Sequence, residues 1–254
     1  MTARRLADLL PPLAFGFAVL ALWEAGVRLL HVPEIILPPP SAIATRFLTS
    51  IPTLSADFWQ TIKGVLAGYV IGSLSGLVVA ILVDRSQFLQ RGLLPLGNLV
   101  SALPIVGIAP IMVMWFGFDW QSKAAVVVVM TFFPITVGMV KGFRSPDPLQ
   151  LDLMRTYSAT GLQTFLKLRA PASAPFFFAS MKIGAAAALV GAVVAEVTKS
   201  EDGGLGARLL AGSYYGQTVQ IWAALFAAAA LSAALVGIIG LLGRFAGHRM
   251  GMAR

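Results

Sequence analysis

The chain contains no cysteine and only two histidines, and charged residues make up 12% of its 254 positions. Without cysteine there are no disulfides and no thiolate metal sites. There is no H-E-x-x-H motif and no carboxylate cluster of the kind that holds a metal ion. Glycine is never followed by lysine, so the chain has no P-loop and no nucleotide site of that type. The scarcity of charge also excludes an ordinary soluble domain, whose surface needs far more of it. What fills the space is apolar: 57% hydrophobic residues and a mean hydropathy of +0.82. The net charge of +8 comes from lysines and arginines standing singly or in pairs between apolar runs. That scatter indicates membrane topology and not nucleic acid, which would need a basic patch interleaved with aromatics.

Apolar segments of about 17–25 residues can cross about 30 Å of hydrocarbon as helices, which satisfy their own backbone groups. Six stand out: Leu9–Leu30, Gly64–Val83, Leu93–Phe118, Ala124–Val140, Phe176–Val197 and Val219–Leu242. The expected fold is an all-α membrane protein of six spans in one domain over residues 1–254. An even number of spans places both termini on one side. Arg4, Arg5, Arg85, Arg91, Lys141, Arg144, Arg155, Lys167, Arg169, Arg244, Arg249 and Arg254 then share that side, against Arg28, Arg46, Lys63, Lys123, Lys199 and Arg208 on the other. The excess marks it as the cytoplasm. The basic start and the apolar run after it are read as a retained first span, not a cleaved leader. His31 and His248 fall on opposite faces, so no intramembrane Ser–His pair is available and no catalytic residue is assigned.

Several segments have features of their own. Glu24 and Arg28 lie one helical turn apart and can pair. After "LPPP", Ser41 can cap a short helix over Ala42–Leu48. Gly68, Gly72 and Gly76 form a small-residue stripe that lets another helix approach closely. The third span carries Pro95, Pro104 and Pro110, and is either a broken helix along a cavity or a kinked one. Asn98, Ser101, Pro104, Met112 and Met114 are the candidate lining of a translocation path. Lys182 lies near the cytoplasmic end of the fifth span and can snorkel. Glu196, near the outer end of that span, is either a wet helix terminus or a gate-lining carboxylate.

The longest cytoplasmic segment runs over about residues 145–172. Ser145 and Asp147 are its candidate caps, and Leu149, Leu153 and Tyr157 form one apolar face. Ser158–Gly161 interrupts, and Leu162, Phe165 and Leu166 form a second face that Pro171 ends. Two short amphipathic helices of this kind either lie on lipid or dock a soluble partner.

Here the chain resembles the permease subunits of bacterial ATP-binding-cassette importers, in the group that serves nitrate, sulfonates, taurine and pyrimidine vitamin precursors. That family's loop signature reads Glu-Ala-Ala, three residues, Gly, nine residues, Ile, one residue, Leu-Pro. With Pro171 as the final proline, Asp152-Leu153-Met154 fill the triplet, Ser158 the glycine, Leu168 the isoleucine and Ala170 the leucine. "LPPPSAI", "PIVGIAPIMVMWFG", "FFPITVGMVKGFRSPDP" and "GAVVAEV" followed by "GGLG" add to the likeness. It covers about Pro33–Arg244, with a family-like core over 58–245.

The resemblance implies a type I importer permease in the bacterial inner membrane: two permease subunits as a homodimer, two cytoplasmic ATPases holding ATP-Mg, and an external solute-binding protein, all set in lipid and without nucleic acid. No cofactor is expected in this chain. Asp152, Arg155, Tyr157, Ser158, Thr160, Gly161, Phe165 and Pro171 would couple it to the ATPases, with Ser158 or Gly161 making the turn. Proline at Gly161 or a charge at Phe165 is expected to disrupt that coupling. A pyrimidine precursor is as plausible a solute as nitrate, taurine or another sulfonate. The competing reading is an ion-coupled carrier or channel that works alone.

Overall fold

A computed structural model describes residues 2–101, 103–198 and 203–249, with the side chains of 2–9, 94, 98, 101 and 249 outside the description. The expectations for Lys199 and Arg254 lie outside the described residues. The order is α1 (Thr2–Leu29), α2 (Pro40–Thr49), α3 (Ile51–Arg85), α4 (Gln87–Ser101), α5 (Ile105–Phe116), α6 (Trp120–Phe143), α7 (Pro148–Thr156), α8 (Gly161–Thr164), a π-turn (Phe165–Arg169), α9 (Ala170–Val197), α10 (Leu205–Tyr214) and α11 (Thr218–Arg249). The described residues contain helices and no strand.

Five stretches are long and apolar enough to cross a membrane: Leu10–Leu29, Ile51–Arg85, Trp120–Phe143, Gly161–Val197 and Thr218–His248. The expected third span is instead two helices, α4 and α5, the second only 12 residues long. Of its three prolines only Pro104 marks a break, as the extended N-cap of α5. Pro95 and Pro110 lie inside helices.

The core is the bundle of α3, α6 and α9, with α11 packed on α9. α3 and α6 approach closely because of the glycine stripe. A Cβ at Gly68 would overlap Ala124 and Val127, at Gly72 the Thr131 hydroxyl, and at Gly76 the Phe132 carbonyl. In lipid, van der Waals contact between backbones replaces the hydrophobic drive between helices. Hydroxyls complete the fit: Thr136 Oγ1 donates to Gly76 O at 3.2 Å, and Tyr69 OH donates to Met181 O at 2.8 Å. The α6–α9 contact repeats the pattern, with Gly138 against Ser180 and Gly142 against Ser173 and Phe176.

α1 stands apart, its apolar side chains from Leu10 to Leu22 exposed. Its far end is fastened. The Trp23 and Trp222 rings meet edge-on at 4.9 Å, and Glu24 pairs with Arg28 at 2.5 Å, as the i,i+4 spacing predicts. Ser41 is not the cap of α2. Pro39 occupies the cap position, and the Glu24 carboxylate accepts from Ser41 N at 3.0 Å and from its Oγ at 2.8 Å. An acid from α1 thus serves the α2 N-terminus, where the helix dipole favours it.

Gly72→Leu is expected to force α3 from α6 at an overpacking cost of about 1–3 kcal/mol. Gly107→Ala, in open space, is expected to be near neutral. Thermal unfolding of both variants in detergent checks the contrast.

Candidate functional site

The loop between α6 and α9 is built by successive caps. Asp147 precedes Pro148 and accepts from Leu149 N at 2.8 Å, while Asp147 N donates to Gln150 Oε1 at 3.2 Å. This reciprocal capping box starts α7, and proline suits its first position. Ser145 does not cap it; its hydroxyl donates back to Gly142 O at 2.8 Å.

α7 ends in a Schellman arrangement. Ala159 N donates to Met154 O at 3.0 Å, and Ser158 N to Arg155 O at 2.8 Å. Ser158 holds the left-handed position with φ 50°. The turn is therefore made at Ser158, where the signature expects glycine. Gly161 is the first residue of α8 and lies in open space. Thr160 caps α8, with Gln163 N donating to Thr160 Oγ1 at 3.3 Å and Thr160 N to Gln163 Oε1 at 2.8 Å.

Pro171 does not end the second helix, as its sequence position suggests. Helix continues from Gly161 to Val197, and the strain is absorbed upstream. Proline has no N–H for the fourth carbonyl back, and its ring crowds that carbonyl. The helix widens into a π-turn over Phe165–Arg169, closed by Ala170 N donating to Phe165 O.

The two faces of the loop have different fates. Leu149 and Tyr157 are 77% and 76% exposed, and Leu153, Leu162 and Leu166 are exposed with them. Asp152 and Arg155 pair at 2.7 Å on the open surface, worth at most about 1 kcal/mol. Phe165 turns inward, its ring 5.2 Å from that of Phe143 and packed against the cluster of Val83, Met139 and Val140. It fastens the loop to the membrane helices.

Arg169, which the loop signature leaves unspecified, ties the segment to two other helices. Its Nη2 lies 2.7 Å from Asp84 Oδ1, and its Nε donates to Phe143 O at 2.8 Å. Asp84 belongs to the last turn of α3, and Phe143 is the last residue of α6. One guanidinium thus joins a carboxylate in the last turn of α3 to the carbonyl at the C-terminus of α6, which lacks an intrahelical donor.

The opposite end of the bundle carries a second polar centre. Glu196 is fully buried, so it is not a wet terminus. Its Oε1 accepts from Lys123 Nζ at 3.1 Å and from Thr61 Oγ1 at 2.8 Å; its Oε2 accepts from Gly206 N at 2.8 Å. Thr61 Oγ1 also accepts from Leu205 N at 3.0 Å. One turn away on α3, Asp57 accepts from Gly204 N at 3.3 Å and pairs with Arg208. Two acids, two cations and a hydroxyl thereby balance one another and satisfy the N-terminus of α10. Gly204, at φ 117°, admits only glycine readily, and a side chain there would overlap the Glu196 carboxylate.

Met112 faces the cluster of Ala109, Val126 and Ala195, whereas Met114 is exposed and Pro104 lies exposed at the break. The side chains of Asn98 and Ser101 lie outside the described residues. Among the described residues no three His, Asp or Glu side chains group as metal ligands. At the Glu196 end a cleft of about 1160 Å³ is lined by Arg28, His31, Ser41, Thr45, Arg46 and Gln220, among others.

The profile of the binding-protein-dependent transport system inner membrane component family matches residues 68–251. A probable ABC transporter permease protein of Haemophilus influenzae is 33% identical over 195 residues, 77% of this chain and 80% of that one. The formylaminopyrimidine transport permease protein ThiX of Halalkalibacterium halodurans is 32% identical, covering 79% and 80%. The riboflavin transport system permease protein RibX of Chloroflexus aurantiacus is 30% identical, covering 89% and 85%.

Two tests follow. Ser158→Gly is expected to steady the end of α7 by about 1 kcal/mol, the left-handed cost of an L-residue. Gly161→Pro, expected from the sequence to disrupt the loop, is on this geometry expected to leave its fold intact, because Thr160 is already extended before it and proline suits a first helical position. Amide exchange over residues 153–165 checks both, and fast exchange in the proline variant would return the turn to Gly161. At the other end, Lys123→Met leaves the Glu196 charge buried alone and is expected to cost about 3–5 kcal/mol. The double variant with Glu196→Gln is expected to recover much of that loss in detergent unfolding curves.

Proposed function

The chain belongs to the binding-protein-dependent transport system inner membrane component family, and from that premise we propose that it is the permease of an ATP-driven importer, with the segment 145–172 as its cytoplasmic coupling element. The chain is a multi-pass membrane permease; the assembly and its direction are the proposal. Positive charge concentrates at the end that carries α7 and α8, which supports placing that end and both termini in the cytoplasm. α4 and α5 together would make the sixth crossing, lined by partner subunits instead of lipid at the break.

The observation that carries the reading is the exposed row Leu149, Leu153 and Tyr157 on a helix capped at both ends. An apolar helix face in water calls for a groove. Two cytoplasmic ATPases, each holding ATP-Mg and seated on this row in one of two identical permeases, would supply it. Their closure on ATP would swing the loops and alternate access at the dimer axis. An external solute-binding protein would meet the opposite end, where the cleft beside Arg28 and Arg46 opens.

Two relatives are named for formylaminopyrimidine and riboflavin, both nitrogen heterocycles. With the buried Lys123 and the half-buried Arg208 already paired, a neutral heterocycle suits this chain better than nitrate or a sulfonate. A self-sufficient ion-coupled carrier is disfavoured because Asp57, Asp84 and Glu196 each have a cationic partner.

Leu153→Asp, expressed together with a cognate ATPase subunit, is expected to insert normally but to lose ATPase co-purification by at least tenfold. Retention of the ATPase at the parent level would end the docking assignment.

A further inference from the structure

The loop holds two sets of residues that point in opposite directions. Leu149, Leu153 and Tyr157 face away from the membrane domain, whereas Phe165 and Arg169 face into it. A docking face transmits motion only if it is rigidly joined to the helices that must move. The capped turn at Ser158 and the continuous helix from Gly161 onward provide the stiffness along the loop. The join across to other helices is made at Arg169.

Three features make that join specific. Asp84 is almost wholly buried, with 3% of its side chain exposed, so its charge requires a fixed partner. The Phe143 carbonyl is an orphan of the α6 C-terminus and takes its donor from the same guanidinium. Arginine's planar fork serves both acceptors at once, which a lysine ammonium on a single stem does less well. Phe165, one turn earlier, presses its ring on Phe143 from the same face. The α3 end is braced in turn by Gln90, whose Nε2 donates to Asp84 O at 3.4 Å.

We propose that Arg169 is a positioning residue of the transport cycle: its clamp on Asp84 and the Phe143 carbonyl makes the loop, α3 and α6 one rigid body, so that a displacement imposed at α7 is delivered to the Glu196–Lys123–Asp57 end of the same helices. This rests on the docking reading above. The clamp and the docking face share no residue, so loss of one does not entail loss of the other.

The absence of cysteine permits a direct test. A spin label is placed at Tyr214→Cys, on the exposed end of α10, in both permease copies of the full complex with its ATPase subunits, so that it reports movement of the far end of one rigid body against the other. The 214–214 distance between the two copies is measured without nucleotide and after trapping with ATP and vanadate. The parent is expected to show a nucleotide-dependent change. Arg169→Ala is expected to keep its ATPase subunits and lose at least half of that change. Because a lone buried Asp84 can unfold the protein, the paired variant Arg169→Gln with Asp84→Asn is measured alongside it. It removes both charges together and is expected to purify like the parent with the same loss of transmission. Arg169→Lys is expected to restore part of it.

A full distance change in the paired variant would overturn the proposal, and so would loss of the ATPase from the paired variant, since the clamp would then be part of the dock. Failure of the docking reading has a different signature, namely ATPase retention by Leu153→Asp.

Discussion

Everything in this molecule depends on how closely α3 approaches α6. Hydrocarbon provides no hydrophobic drive to bring two greasy helices together, so the attraction must come from backbone surfaces in contact. Gly68, Gly72 and Gly76 allow that contact, and any side chain there would strike α6 directly. Once the two helices are that close, their ends become crowded with unsatisfied carbonyls, amide donors and charges that lipid cannot solvate. The polar clusters at either end answer that crowding. At one end a guanidinium joins a carboxylate in the last turn of α3 to the C-terminal carbonyl of α6; at the other a carboxylate, a hydroxyl and a second acid serve one N-terminus.

Much of this architecture could be read in the sequence, for identifiable reasons. The glycine stripe repeats every four residues, and the loop helices carry apolar residues at i, i+4 and i+8, so both declare themselves locally. The pairing of Glu24 with Arg28 is local as well. What could not be read depends on chain separation. Arg169 finds Asp84 from 85 residues away and Phe143 from 26. Glu196 was conspicuous as a lone acid in an apolar run, but Lys123 lies 73 residues before it and Thr61 135. A lone acid predicts that a cation exists without saying which one. Glycine preference pointed to Gly161 as one possible turn, yet the left-handed residue is Ser158. A capped α7 ending in a Schellman arrangement decides the position of its turn by hydrogen bonding, and residue type only adjusts the cost.

Pro171 misled for a related reason. Proline stops a helix where the next turn has no way to widen, and here five residues before it had room to do so. The third apolar run left a broken and a kinked helix both open; it is broken, at Pro104 alone, while Pro95 and Pro110 are carried inside helices.

The π-turn also fixes a phase. An α-helix advances about 100° per residue, and a π-turn acts as one inserted residue within it. Every side chain on the loop side of Phe165 is therefore rotated by that amount about the axis of α9, relative to where an unbroken helix would put it. Removing Leu166 or Leu168 would keep the caps and the charges of the loop, yet aim Leu149, Leu153 and Tyr157 in a different direction. The single proline at 171 thereby sets the azimuth at which this protein presents its loop to the water.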